Sequence, residues 1–457
     1  MGAMMRKYDV VILGAGCGQA IMEEAESRNK SIALVEPGWL GGTCLNLGCI
    51  PSKKLIASAD MIAEVERAKR LGVEMSVASI DFRGIMRRMR TDRDETQRHL
   101  RHEMPGSENV TFYDGAARFT GPKTVEVNGE EFEGDLIFVT AGARPLIPPI
   151  EGLDGVDYLT NESVLELEEL PRSLIIVGGG YIAVEYAHFF AAMGSNVTII
   201  EMDDRLVTGE EPEISRRLEE ELGKRMRIVT GMRVTAVSQQ KGRVEVAARS
   251  ASGESQRSYR AERVLIALGR VPNTDILQVD KAGLRTSGDG FIVVDEYMRT
   301  NREGIYAAGD INGTQMFRHV ANVEALVAAA NAFDDADIAM DYSAAPHAVY
   351  SNPQIAAAGM TEAQARERGY KVTTTITPYS SVAKGEAIAE EAGFTKAVVD
   401  TETERILGFH IIGPHAPILI QEVVNAMKSG GHVNEILQAM HIHPAMTELI
   451  PDSFAAL

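Results

Sequence analysis

The chain has 457 residues, 45% of them hydrophobic and 24% charged, which excludes a disordered chain and predicts a packed interior. At roughly 150 residues per domain, about three domains are expected. The formal net charge of −19 excludes a duplex-DNA binder, which needs clustered Lys and Arg, and three cysteines exclude a disulfide-stapled secreted domain. No apolar run is long enough to span a bilayer, and no signal-like apolar segment opens the chain. The expectation is a cytoplasmic protein with no nucleic-acid and no membrane partner. Met1 to Ala3, ahead of Met4, read as an expression remnant and are set aside.

The first informative stretch runs from Tyr8 to Gln19. A β-branched strand enters a turn containing Gly14, Gly16 and Gly18, and a helix follows to Ser27. A second buried strand, Ser31 to Val35, ends at Glu36, 20 residues after Gly16. This is a dinucleotide-binding fingerprint. The glycines let backbone approach a pyrophosphate at the helix N-terminus, and Glu36 is placed to hold ribose hydroxyls. Gln19 stands where a third glycine normally allows close helix packing; Gly18 beside it is expected to compensate in part.

The pattern recurs. Strand Ser173 to Val177 leads into Gly178, Gly179 and Gly180, then Tyr181, Ile182 and Ala183 open a helix through Met193. Strand Asn196 to Ile200 ends at Glu201. Two such units, each with an acid at the right distance, are far more specific than one glycine turn. A carboxylate accepts a free ribose 2′-OH and repels a 2′-phosphate, so Glu201 favours NAD over NADP.

Between and after these units lie three strand-to-turn segments: Leu136 into Thr140, Ala141 and Gly142; Val264 into Gly269 and Arg270; and Gly304 into Gly309 and Asp310. From Phe82 to Glu103 the chain reads as a solvated, Arg-rich helical face. After about residue 345 the segment Thr395 to Ile412 reads as two antiparallel strands, and Ala416 to Met427 as an amphipathic helix. The fold class is α/β, with two Rossmann-like dinucleotide-binding domains and a C-terminal α+β domain.

The chemistry sits in the run Gly41, Gly42, Thr43, Cys44 through Cys49, Ile50, Pro51, Ser52 and Lys53. A cysteine pair in a chain of this type is redox or metal-binding rather than structural. Zinc needs further Cys or His ligands at compact spacing, and only Cys17 remains, inside the nucleotide turn, so no metal is expected. The pair is placed just ahead of a helix whose N-terminus favours thiolate.

With these motifs and the ending His443, Pro444, Ala445, Met446, Thr447 and Glu448, the chain resembles the FAD-dependent pyridine nucleotide–disulfide oxidoreductases. That group includes dihydrolipoamide, glutathione and mycothione enzymes, and the likeness covers nearly the whole chain. The resemblance implies FAD binding by residues 1–149 and 274–344, nicotinamide binding by 150–273, and dimerisation through 345–457. It implies that Cys49 is the flavin-side thiolate and Cys44 the interchange thiol. His443 is then the proton shuttle, oriented by Glu448 and supplied across a homodimer. His441 is the competing histidine. Lys53 and Glu185 resemble the family's ion pair beside the flavin, with Lys54 as the alternative partner.

By the same resemblance, Thr140, Ala141, Gly142, Gly309, Asp310 and His319 join Gly42 and Thr43 around FAD. Gly269 joins the NAD site, and Tyr181 is the lid residue over the flavin. Cys17 is a bystander. The reading is an NAD(P)H:disulfide oxidoreductase of the dihydrolipoamide dehydrogenase type, acting on a small dithiol or disulfide. A low-molecular-weight thiol disulfide reductase of the mycothione or glutathione type is the alternative. A flavin redox-sensing module is the non-enzymatic one. Membership of a larger dehydrogenase complex is left open. The chain end, Asp452 to Leu457, carries no cysteine, which counts against the mercuric and high-molecular-weight thioredoxin branches.

Overall fold

The apolar run near the start forms strand Arg6–Leu13, and Val10 to Leu13 are buried. It pairs in parallel with Ile32–Val35 on one side and Glu130–Val139 on the other. Strands covered on both faces need nearly continuous apolar side chains, which Ile32, Ala33, Leu34 and Val35 supply. Val110–Tyr113 extends the sheet beyond Ile32–Val35, and Ile305–Ala307 pairs with the end of Glu130–Val139. The first half of Glu130–Val139 pairs antiparallel with Thr124–Val127, which in turn pairs with Ala117–Phe119. One ten-residue strand thus serves a parallel sheet and a meander.

The structure is a computed structural model describing residues 5–103 and 108–457, so the reading of Met1 to Met4 lies outside the described residues. The chain forms two compact units. The first comprises Met1–Pro51, Arg87–Leu146 and Gly269–Met340; the second comprises Ser52–Met86, Ile147–Leu268 and Asp341–Leu457. Residues 52–86, grouped with the first nucleotide domain on sequence, cluster with the second unit. The cause is visible in the bonds of their helix: Lys53 and Asp60 both bind side chains of helix Tyr181–Met193.

The second unit holds a parallel sheet in the order Arg227–Val229, Asn196–Ile200, Ser173–Val177, Arg263–Ile266, and an antiparallel meander Met232–Gln240, Arg243–Ser250, Gln256–Ala261. It also holds a five-stranded antiparallel sheet. In that sheet Phe394–Asp400 and Ile406–Ile412 are central and buried along their length, because helices Ala416–Ser429 and Leu449–Ala455 pack into its core. Lys396 is carried inside with them. Its ammonium meets Glu211 at 2.9 Å, Glu362 at 3.0 Å and Glu213 at 3.1 Å, joining the nucleotide lobe to the C-terminal sheet. No helix among the described residues is long and apolar enough to cross a membrane.

Candidate active site

Both glycine turns are built by the same device. Gly14 has φ +114°, and a Cβ there would stand 2.4 Å from Thr140 O; Gly178 has φ +113°, and its Cβ would stand 2.2 Å from Ala267 O. The helix-packing duty of the missing third glycine falls on Gly18, where a Cβ would come within 2.7 Å of Ile12 Cγ2 and of Thr140 Oγ1. Gln19 is therefore free to be large. Helices Gly18–Ser27 and Tyr181–Met193 both begin without a side-chain cap and without an acid in the first turn. Their leading N–H groups and dipoles suit an anion, so the pyrophosphates of two dinucleotides fit. Tyr181 and Ile182 stand half-buried at the second of these starts.

Glu36 ends its strand with Oε2 accepting from Ala15 N at 2.7 Å, and burial raises its carboxyl above the usual range. Glu201 likewise accepts from Asp203 N at 2.8 Å. Thr140 Oγ1 donates to Gly14 O at 2.7 Å, while the carbonyls of Ala141 and Gly142 accept from Asn273. Gly269 has φ +110° and accepts from Leu146 N. Gly309 N donates to Glu324 Oε2 at 2.6 Å. Glu324 has no exposed surface and was not read from sequence as a site residue. Burial raises the Asp310 carboxyl, more than nearby Arg270 lowers it, and the ring of His319 stacks on Phe317.

The cysteine run breaks into two helices. Gly42, Thr43 and Cys44 belong to the one-turn helix Gly42–Asn46; Leu47 and Gly48 interrupt it; Cys49 opens the 22-residue helix Cys49–Arg70. Cys49 thus sits where a helix favours negative charge, and Cys44 is half-buried in the short turn. Between the two cysteines Asn46 is fully buried. Its Nδ2 donates to Leu40 O and Gly42 O, each at 2.9 Å. Gln97 closes this knot, donating to Asn46 Oδ1 at 2.7 Å and to Leu40 O at 2.6 Å, and accepting from Leu40 N at 3.0 Å. Gln97 lies in helix Phe82–Glu103, whose polar composition hid it; Met86, Met89 and Arg93 share its buried face.

Lys53 and Glu185 are brought together. Lys53 Nζ donates to Glu185 at 2.7 and 3.0 Å and stands 4.8 Å over the Tyr350 ring, while Tyr350 N donates to Glu185 Oε1 at 2.9 Å. His443 and Glu448 also meet, at 2.8 Å, and Glu448 Oε2 accepts from Ala445 N. That N–H first, and His443 second, hold Glu448 below its usual range. His441 instead contacts Glu422 at 2.5 Å. Cys17 is buried against Ala308 O, and burial pushes its thiol up to about 12, which leaves no thiolate near neutral pH. Cys44 and Cys49 belong to the first compact unit; Lys53, Glu185, His443 and Glu448 belong to the second.

Residues 8–331 match the pyridine nucleotide-disulphide oxidoreductase family, and residues 345–454 match that family's dimerisation domain. The chain belongs to this family. It is a disulphide oxidoreductase using FAD and a nicotinamide cofactor, and its C-terminal sheet is a dimerisation domain. It is 34% identical to mycothione reductase of Mycobacterium tuberculosis over 99% of this chain and 100% of the relative. It is 33% identical to dihydrolipoyl dehydrogenase of Bacillus subtilis (99% and 98%) and 32% identical to mercuric reductase of Staphylococcus aureus (96% and 81%). Among solved structures, the HOCl-induced flavoprotein disulfide reductase of Escherichia coli superposes with a TM-score of 0.87 at 28% identity, over 99% of this chain and 100% of that one.

Proposed function

We propose that this oxidoreductase exchanges electrons between NADH and a small dithiol or disulfide of the dihydrolipoamide class through Cys44 and Cys49. The observation that carries the NADH choice is Glu201, a carboxylate at the strand end where a 2′-phosphate would be repelled. FAD, when bound, supplies two-electron transfer between the nicotinamide and the cysteine pair. The rest is done by side chains. Cys44 thiolate attacks one sulfur of the substrate disulfide, forming a mixed disulfide, and the departing thiolate takes a proton from His443. Cys49 thiolate then attacks Cys44 Sγ, closing the Cys44–Cys49 bond and releasing the second substrate thiol. The reverse sequence oxidises a dithiol.

In this reading the enzyme is a homodimer, and His443–Glu448 serves Cys44 of the other protomer. The side chain of His443 is 72% exposed, and the neighbouring Ile442 and Met440 are 78% and 100% exposed. An apolar tongue flanking an exposed imidazole is what a second copy would cover. In this reading the pair reopens at each turnover, which suits a reducing, cytoplasmic compartment.

A second reading, reduction of a low-molecular-weight thiol disulfide of the mycothione type, is favoured by the full-length similarity to mycothione reductase and by Tyr181. A steady-state panel separates them. Lipoamide, mycothione-type, glutathione and γ-glutamylcysteine disulfides would each be tested with NADH and with NADPH. Preferred turnover of lipoamide with NADH supports the first reading. A preference for a monothiol disulfide transfers the assignment to the second.

A further inference from the structure

The second unit contains a buried histidine that the disulfide chemistry does not use. His188 has no exposed surface and lies one turn after Glu185 on helix Tyr181–Met193. Its Nε2 stands 2.9 Å from Asp60 Oδ1, on helix Cys49–Arg70 two turns beyond Lys53. Its Nδ1 stands 3.0 Å from Arg225 Nη1. Arginine only donates, so Nδ1 is the acceptor and the proton is on Nε2: the ring is neutral. The same guanidinium donates through Nη2 to Asn352 O, two residues after Tyr350.

Two rows of bonds therefore tie the same three elements. The first is Lys53–Glu185–Tyr350; the second is Asp60–His188–Arg225–Asn352. The first row contains the pair that the family resemblance implies to lie beside the flavin, and the second ties together the three elements that carry it.

We propose that Asp60, Arg225 and neutral His188 form a positioning relay for the Lys53–Glu185 pair, and that proton uptake by His188 opens it. The proposal rests on the reading of that pair as acting beside the flavin. A second proton on the ring would sit on Nδ1, facing the Arg225 donor, so the Arg225 bond is lost while the Asp60 bond remains. The groups facing the ring are Asp60 from helix Cys49–Arg70, Arg225 from the turn after helix Pro212–Gly223, and Glu185 from its own helix. Burial is the largest influence and lowers the imidazole from 6.5, with Asp60 opposing it and Arg225 assisting it. The relay therefore stays closed at neutral pH and opens in acid.

The test uses the full-length holoenzyme and stopped-flow reduction by NADH, read by flavin absorbance, from pH 5 to 8. Thermal unfolding is followed at the same pH values. Glutamine can accept from Arg225 and donate to Asp60 without titrating. His188→Gln should keep most of the neutral-pH rate and lose the acid limb below about pH 6.5 in both rate and melting temperature. His188→Leu should slow flavin reduction on the order of tenfold to a hundredfold at all pH values. Lys53→Met is measured in parallel. If Lys53→Met slows reduction but His188→Leu does not, or if His188→Gln keeps the wild-type acid limb, the relay is wrong while the pair stands. If Lys53→Met leaves reduction unchanged, the pair reading fails and the relay has nothing to position.

Discussion

His443 Nδ1 lies 2.8 Å from Glu448 Oε1, while His441, two residues earlier, is engaged by Glu422. Of these two, His443 alone combines an exposed ring with a carboxylate on Nδ1, leaving Nε2 for a substrate thiol. His443→Gln should lower kcat for disulfide exchange by about 10²–10⁴-fold, the usual contribution of a positioned acid–base group. His441→Gln should stay near the wild-type rate. Because Glu448 is held below its usual 4.5, its grip on His443 is full at neutral pH and is lost only as pH falls through that lowered value. Equal losses in the two histidine variants would remove the distinction.

Gln97 and Asn46 predict a link between a remote helix and the redox loop. Gln97→Leu leaves the buried Leu40 N–H and the Asn46 amide with unmet hydrogen bonds, at about 1–3 kcal/mol for each such group. Melting temperature should drop. The reduction potential of the Cys44–Cys49 couple should also shift, because the loop between the cysteines is no longer held. A Gln97→Leu protein that melts lower with an unchanged potential would make the knot purely structural.

For cofactor choice, Glu201→Ala removes the carboxylate at the ribose end of the second nucleotide fold. kcat/KM should fall with NADH and rise with NADPH. An unchanged preference in steady-state assays would remove the basis for the NADH assignment.

Lys396 predicts how the C-terminal sheet is tied to the nucleotide lobe. Lys396→Met leaves Glu211, 1% exposed, without its cation, and should cost roughly 3–5 kcal/mol of stability. In the wild type, Lys396 and then Arg366 hold Glu362 below its usual 4.5. That stabilisation is present above 4.5 and fades as pH falls through the lowered value. In the variant this pH dependence should weaken, because Lys396 no longer holds the Glu362 carboxyl down. Chemical denaturation at pH 7 and pH 4 compares the two slopes.

Much of this architecture was legible because it rests on local chemistry. Strand, glycine turn, helix and acid follow one another within about 25 residues in both nucleotide units, and the Rossmann spacing restricts what they can be. The role of Gly18 was half-legible: the sequence shows Gln19 out of place, but only packing on Ile12 and Thr140 shows which glycine takes over. Gln97, Asn46, Glu324 and His188 were not legible. Each is a polar residue in an otherwise ordinary stretch, and its meaning comes from a partner brought near by tertiary packing. Asn46 meets Gln97 across 51 positions and His188 meets Asp60 across 128. The partners of residues 52–86 were not legible for the same reason, since Lys53 and Asp60 bond to a helix more than 100 positions away.

The central claim is that electrons pass through the Cys44–Cys49 pair. Anaerobic titration of the holoenzyme with NADH tests it most directly. Two-electron reduction should produce a long-wavelength charge-transfer band from a Cys49 thiolate against the flavin, and Cys49→Ser should abolish the band while leaving FAD bound. Bleaching of the flavin without that band in the wild type, or a band that survives in Cys49→Ser, would contradict the account.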